Sequence, residues 1–311
     1  MTNIEAKASG KVILSGEHSV VYNKPALAVP FSKSVFCNIS ETNSSDIKVK
    51  LTDFESERVF NLNDIINSDG SLLDEFSLPL YILNMFYKKY NIKFEGVEIT
   101  VKSNLPISVG LGSSAAFIMS WVKGLNQYYE LNLSDKEMFE VGLDAENLVH
   151  LKSSGIDIAV ALYGKPIKYI KGTDIESLQE SEAKLYLINT GKAESLTADC
   201  VKHVKKFADD DVVWGKFNDV TLSIEKALLS NDSEALKQGI KNNHKLLCDI
   251  EVVPNKVKKF IEEVESMGGA AKISGAGSVA GDNAGIVLAY IEDDKEPLKQ
   301  LAEQYNYDFI G

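Results

Sequence analysis

Arginine is almost absent from this chain: among 33 basic residues only Arg58 carries a guanidinium. The bidentate arginine clamp that often holds phosphate or carboxylate is therefore largely unavailable, and lysines and backbone amides must do that work. Cysteine is scarce too. Cys37, Cys200 and Cys248 are odd in number, far apart and without a CxxC pair, which excludes a disulfide framework and reads as reduced thiols in core positions. The four histidines, His18, His150, His203 and His244, are too scattered for a familiar metal-ligand spacing. No run approaches the roughly 18 apolar residues of a membrane span, and the first ten residues lack an apolar signal-peptide core. Positive charge is in deficit: the net charge of −12 repels polyanions and argues against a nucleic-acid partner. The expectation is a cytoplasmic protein with neither nucleic acid nor membrane as partner.

What is present is ordinary for a globular protein: 311 residues, 44% hydrophobic and 25% charged, enough for two domains. The most informative stretch is Pro106-Ile-Ser-Val-Gly110-Leu111-Gly112-Ser113-Ser114-Ala115-Ala116. It follows Gly96–Val101, whose Val97, Ile99 and Val101 alternate as in a half-buried strand. It precedes a helical run to Tyr129, in which Phe117, Ile118, Trp121, Val122 and Leu125 recur at three- and four-residue steps. Glycines between strand and helix allow close backbone approach, and free amides at a helix start favour a phosphate or carboxylate. Either serine could equally serve as a plain N-cap.

Earlier in the chain, Gly16-Glu17-His18 lies between two apolar runs. If it is buried, Glu17 and His18 need a partner or ligand, and the alternative is a polar surface hairpin. Residues 34–62 continue in strand style, with Ile47, Val49 and Leu51 alternating, and Leu80–Tyr90 reads as a helix with Pro79 in its first turn. Ser134 and Glu137 form a capping-box signature for a helix to about His150, which places Glu146 and His150 on one face. Asp157 follows a Ser-Ser-Gly turn. It reads as a simple cap or, with Glu146, as a pair dividing into metal ligand and general base. Lys184–Gly191 reads as a strand, and helices are expected over 196–208, 212–229, 233–248 and 255–267. A second small-residue loop, Gly268–Gly285, precedes a strand over 286–290. Two such loops, one in each half, suggest a ligand held between domains, the alternative being that the second loop is only a flexible connection.

Three blocks together resemble the GHMP kinases: Lys11-Val-Ile-Leu-Ser-Gly16-Glu17-His18-Ser-Val-Val-Tyr22, Pro106–Ala116, and Lys272-Ile-Ser-Gly275-Ala276-Gly277. The first block, followed by Lys24-Pro-Ala-Leu-Ala, looks like the mevalonate-kinase branch, since galactokinases carry Asp-Tyr soon after Gly-Glu-His. The resemblance implies an α+β, two-domain GHMP kinase fold with the active site in the interdomain cleft. Its domains would be an N-terminal nucleotide-binding domain over 1–180 and a C-terminal GHMP kinase domain over 181–311. It further implies ATP and Mg²⁺ as cofactors and the phosphorylation of mevalonate to 5-phosphomevalonate in isoprenoid biosynthesis, with a small hydroxy compound as partner and a homodimer compatible with it.

Residue roles are implied as well. Pro106, Gly110, Leu111, Gly112, Ser113, Ser114 and Ala115 would wrap the ATP phosphates, with Gly275, Ala276 and Gly277 closing from the second domain. Ser114 and Glu146 would hold Mg²⁺, Asp157 would take the hydroxyl proton, and Lys11 would keep Asp157 ionised and stabilise the transferring group. Glu17, His18, Lys192 and Thr197 would face the acceptor.

The chain departs from the family pattern in three places. It has Ala-Ser-Gly-Lys at 8–11 where Ala-Pro-Gly-Lys is common. Ser278-Val279-Ala280 stands where further glycines are usual. Lys192-Ala-Glu194-Ser195-Leu-Thr197 stands where Arg-Ser-Thr is frequent, so a basic contact to the acceptor either moves to Lys192 or vanishes. Alternative acceptors are those of galactokinase-like, homoserine kinase-like and phosphomevalonate kinase-like members. A nucleotide sensor that has lost catalysis is a further alternative. Because Gly110-x-Gly112-x-x-Ala115 also fits a dinucleotide fingerprint, an oxidoreductase is a more distant reading.

Overall fold

Apolar side chains that alternate along strands and recur every three to four residues along helices decide where each element buries itself. The computed structural model describes residues 3–68, 70–106, 110–150, 153–173, 175–292 and 294–310. The chain forms two interleaved units. Of the described residues, one unit holds those up to Lys11 with Pro30–Pro106 and those from Gly112 to Gly164, and the other holds Val12–Val29, Gly110, Leu111 and those from Lys165 onward.

In the first unit lie the early part of β1 (Asn3–Ser15), the later part of β2 (Ala26–Glu41), β3 (Ile47–Leu51), β4 (Ser56–Phe60), α1 (Leu62–Ile66), α2 (Ser77–Tyr90) and β5 (Val97–Ser103). Three further helices complete it: α3 (Ser113–Tyr128), α4 (Asp135–Val149) and α5 (Ile156–Tyr163). The sheet runs β4-β3-β5-β2, with β3 parallel to β5 and the other pairs antiparallel. Ile47, Val49 and Leu51 are buried together with Val97, Ile99 and Val101, as their period of two requires. On the other face Lys50 pairs with Glu98 at 2.8 Å and Lys48 with Glu57 at 3.0 Å.

Helix α3 buries Ile118, Trp121, Val122 and Leu125 and packs against α4 and α5. The capping box holds the start of α4: Glu137 N donates to Ser134 Oγ at 3.3 Å, and Ser134 N donates to Glu137 Oε2 at 2.9 Å. Helix α3 leads through a turn directly into α4, with no intervening strand. The dinucleotide reading requires a second parallel strand after that helix, so it is set aside.

In the second unit, Ala26–Ala28 of β2 pair antiparallel with β6 (Ile167–Tyr169), which pairs in turn with β7 (Glu176–Ser177). After β8 (Leu185–Asn189) come α6 (Thr197–Val204), α7 (Asp211–Ser230), α8 (Ser233–Asp249) and α9 (Asn255–Ser266). Then follow β9 (Ala270–Ser274), β10 (Ile286–Tyr290), α10 (Glu296–Gln304) and β11 (Asp308–Phe309). The order β11-β8-β10-β9 is antiparallel throughout.

Every residue of β9 and β10 is buried, and α8 and α9 pack on β9. Trp214 stacks on Tyr22 with ring centroids 4.0 Å apart. A buried polar knot joins Ser15, Thr221 and Asn243: Ser15 Oγ lies 2.7 Å from Thr221 Oγ1, and Asn243 Nδ2 donates to Ser15 Oγ. Two helix boundaries differ from expectation. Helix α2 starts at Ser77 rather than Leu80, where Ser77 Oγ accepts the amides of Leu73 and Asp74. The helix expected over 196–208 ends at Val204 and tightens into a 3-10 turn at Lys205–Phe207.

Candidate active site

The first unit brings together five of the expected site residues: Lys11, Gly112, Ser114, Glu146 and Asp157. Helix α3 begins at Ser113 with Gly112 as its N-cap at φ 70°, and no side chain caps it. Neither serine is therefore the cap, and the first amides of α3 have no intrahelical acceptor. A left-handed φ suits glycine here, and so does space. A Cβ on Gly112 would come within 2.8 Å of Lys11 Cγ and 3.6 Å of Asp157 Oδ2. Lys11 thus runs against the start of α3, with its Nζ 3.3 Å from Asp157 Oδ1. Lys11 is nearly enclosed, whereas the Asp157 side chain keeps 27% of its exposure. Asp157 sits in the first turn of α5, whose N-cap is Gly155, so its carboxylate lies at the positive end of a helix without acting as the cap.

Ser114, one residue into α3, donates through Oγ to Glu146 Oε2 at 2.9 Å. Glu146 is buried on α4, and its other oxygen lies 3.7 Å from His150 Nε2. Burial above all, and then the nearby Asp157 carboxylate, push the Glu146 carboxyl up to about 7, against the opposing effects of the Ser114 hydrogen bond and Lys11. A buried carboxylate beside a second one is an environment that a divalent cation relieves. Among the described residues no cluster of three or more His, Cys, Asp or Glu side chains stands ready to chelate a metal alone. Ser114 and Glu146 nevertheless fit Mg²⁺, which takes oxygen donors, usually one or two carboxylates completed by waters and substrate phosphates.

The remaining expected residues lie outside this cluster. Pro106 is half-buried, and residues 107–109 of the same stretch fall outside the described residues. Gly110 is exposed at φ 84°, and Leu111 is buried.

In the second unit, the carboxylate of Glu17 is enclosed and paired with Lys272. Lys272 also donates to the carbonyls of Ile273 at 2.8 Å and Ile13 at 3.3 Å. His18 is buried, its Nε2 lying 3.0 Å from the carbonyl of Ala276 in the second glycine-rich loop. A carbonyl can only accept, so Nε2 carries the proton. Burial lowers the His18 pKa to about 4, which keeps the ring neutral, although the Ala276 bond works the other way. Gly-Glu-His is therefore an interior segment with partners rather than a surface hairpin. Lys192 is exposed, and Thr197 is exposed as the first residue of α6.

Reasoning from sequence missed Lys272 as the partner of Glu17. A signal was present, because a lysine inside the apolar run Ala270-Ala-Lys-Ile-Ser274 must find a counter-charge once that run is a buried strand.

The GHMP kinases N terminal domain pattern matches residues 77–165, the span that holds Pro106–Ala116, Glu146 and Asp157. A mevalonate kinase of Methanocaldococcus jannaschii is 29% identical, with 94% of each chain covered. One of Pyrococcus furiosus is 30% identical over 88% of this chain and 86% of its own. Among solved structures, one described as a mevalonate kinase superposes with a TM-score of 0.84 at 25% identity, covering 99% of this chain and 98% of that one. The fold is thus the α+β fold of GHMP kinases, and a galactokinase from Lactococcus lactis shares it at a TM-score of 0.80 and 17% identity, covering 99% of this chain and 92% of that one. With its motifs, fold and a 30%-identical relative matched over most of both lengths, the chain belongs to the mevalonate kinase family of the GHMP kinases.

Proposed function

We propose that this protein transfers the γ-phosphoryl group of ATP to the primary hydroxyl of mevalonate, giving 5-phosphomevalonate and ADP for isoprenoid biosynthesis. The observation that carries the reading is the Lys11–Asp157 pair set against Gly112, with Ser114 in the first turn of α3 bonded to Glu146 in the same unit.

In this mechanism Asp157 accepts the proton of the acceptor hydroxyl as its oxygen bonds to the γ-phosphorus, and the bond from phosphorus to the β–γ bridging oxygen breaks to release ADP. Lys11, paired with Asp157 at 3.3 Å, orients that carboxylate and stabilises charge on the transferring group. The amides from Gly110 to Ala115 bind phosphate oxygens, which suits a chain with one arginine. Ser114 and Glu146 would hold Mg²⁺, which when bound neutralises phosphate charge and fixes the leaving group. Gly275, Ala276 and Gly277 complete the phosphate contacts. Glu17 and His18, fixed by Lys272 and the Ala276 carbonyl, serve the acceptor side together with Lys192 and Thr197.

Phosphoryl transfer needs alignment and charge neutralisation more than covalent chemistry, which a set of one base, one lysine and an amide-lined helix start supplies. The absence of paired cysteines supports a cytoplasmic site of action.

A coupled ADP-release assay over mevalonate, phosphomevalonate, galactose and homoserine tests the acceptor. Turnover is expected with mevalonate at a kcat/KM far above that of the others. Turnover of another acceptor in preference to mevalonate would reassign the substrate, and folded protein inert towards all four would overturn the reading.

A further inference from the structure

The chain's two largest departures from its family's pattern, the 192–197 run and the 278–283 loop, are in contact with each other within the second unit. Val279 N donates to Ser195 Oγ at 3.1 Å, and Ser195 N donates to Ser278 Oγ at 3.1 Å. The two hydroxyls lie 3.0 Å apart, and Ser278 is buried. Farther along, Asn283 N donates to Glu194 Oε2 at 3.1 Å. Between these points the Glu194 carboxylate lies against Gly281, where an added Cβ would collide with it. Glycine suits position 281 at φ 71°, and a Cβ there would displace the Glu194 carboxylate. The ends of the loop are tied as well: Ser278 N donates to the Val252 carbonyl at 3.0 Å, and Ala284 N donates to Thr190 Oγ1 at 2.9 Å.

A loop as rich in glycine and alanine as 275–285 has many conformations to lose when it closes on a ligand. Bonds that hold it in one conformation beforehand remove that cost from binding. We infer that Glu194 and Ser195 are positioning residues that latch the second glycine-rich loop, so that Gly275–Gly277 meets the nucleotide phosphates already ordered.

This inference rests on the kinase reading above. It also accounts for a carboxylate in a run where a basic residue is frequent: Glu194 is engaged with the loop and not with the acceptor. Lys192, exposed, is the residue of that run left for an acidic substrate group.

The test uses the full chain with Glu194→Ala, Glu194→Gln and Ser195→Ala, and three readouts: hydrogen exchange of the 278–284 amides, titration with a fluorescent ATP analogue, and steady-state kinetics. The Val279 and Asn283 amides should exchange faster in the alanine variants. Nucleotide Kd and ATP KM should rise roughly three- to tenfold, the size of one lost charge-assisted hydrogen bond, with kcat within about twofold and mevalonate KM unchanged. Glu194→Gln keeps an acceptor oxygen and should stay within about twofold of wild type for ATP. A general folding defect would move exchange across the whole second unit and would not be rescued by Gln. Unchanged exchange at Val279 and Asn283, or faster exchange with unchanged ATP affinity, overturns the latch. Wild-type protein that binds no ATP overturns the kinase reading itself, a result distinct from wild-type binding with indifferent latch variants.

Discussion

Lys11 and Asp157 come from opposite ends of the first unit's sequence and meet at 3.3 Å beneath a glycine that cannot be enlarged without moving one of them. Their separate roles predict separate phenotypes. Asp157→Asn keeps the shape and loses the proton acceptor, so kcat should fall by about 10²–10⁴, the usual contribution of a positioned base, while the affinity for an ATP analogue changes less than about threefold. Steady-state kinetics beside a fluorescence titration reads both, and near-normal kcat in that variant would remove Asp157 from the role of base.

Glu146 makes a prediction of opposite character. Its folded pKa of about 7 lies above the ordinary carboxyl value of 4.5 because burial and Asp157 disfavour the charge. A raised folded pKa means that this group's contribution to stability is fully present below about 4.5 and is lost as pH rises through about 7. In chelator-treated protein, Glu146→Gln should therefore match wild type near pH 5 and exceed it at pH 8, by on the order of 1–3 kcal/mol. Melts with excess Mg²⁺ and ATP analogue should reverse the order at pH 8, since a bound cation stabilises the carboxylate. A stability gap independent of pH would show that Glu146 is not protonated as the pH falls.

At the scale of elements, the helices were legible where one face is apolar and the other polar. The spans of α3, α4, α7, α8 and α9 follow from three- and four-residue spacing, with side-chain caps at the starts of α4, α7 and α8, and β10 from an apolar run bounded by glycine. Helix α5 was less legible. Ile158-Ala-Val-Ala-Leu162 is apolar all round and fully buried, so it has no period to distinguish helix from strand. That loss mattered, because the helix start is what gives Asp157 its place. The capping box of α4 was plain in Ser134 and Glu137, and it carries a measurable stability. Ser134→Ala should lower unfolding free energy by about 1 kcal/mol in urea titration with kinetic constants unchanged, since the cap lies about three turns from Glu146 on the same helix. An unchanged urea midpoint would mean that the cap contributes nothing to the fold.

For the whole molecule, motif order along the chain pointed to the family, but the interleaving of the two units was not legible. Strands β1 and β2 read locally as ordinary strands, and nothing in their alternation reports that Lys11 and Val12, or Val29 and Pro30, belong to different units. For the same reason sequence distance concealed the contacts between residues 194–195 and 278–283 and the pairing of Glu17 with Lys272. Each residue was noticed alone, and only the fold supplies the partner. Scarcity of arginine, by contrast, was legible at once and is matched by the architecture, in which a helix start, lysines and glycine-rich loops stand where guanidinium groups are absent.

Phosphorylation of a mevalonate hydroxyl by ATP leaves a product that phosphorus can report. The deciding measurement is phosphorus NMR of a reaction holding the protein, ATP, Mg²⁺ and mevalonate. A new phosphomonoester signal, coupled to the C5 methylene protons, is expected to grow in step with ADP. ATP left intact, or ADP formed with free phosphate and no phosphomonoester, would contradict it.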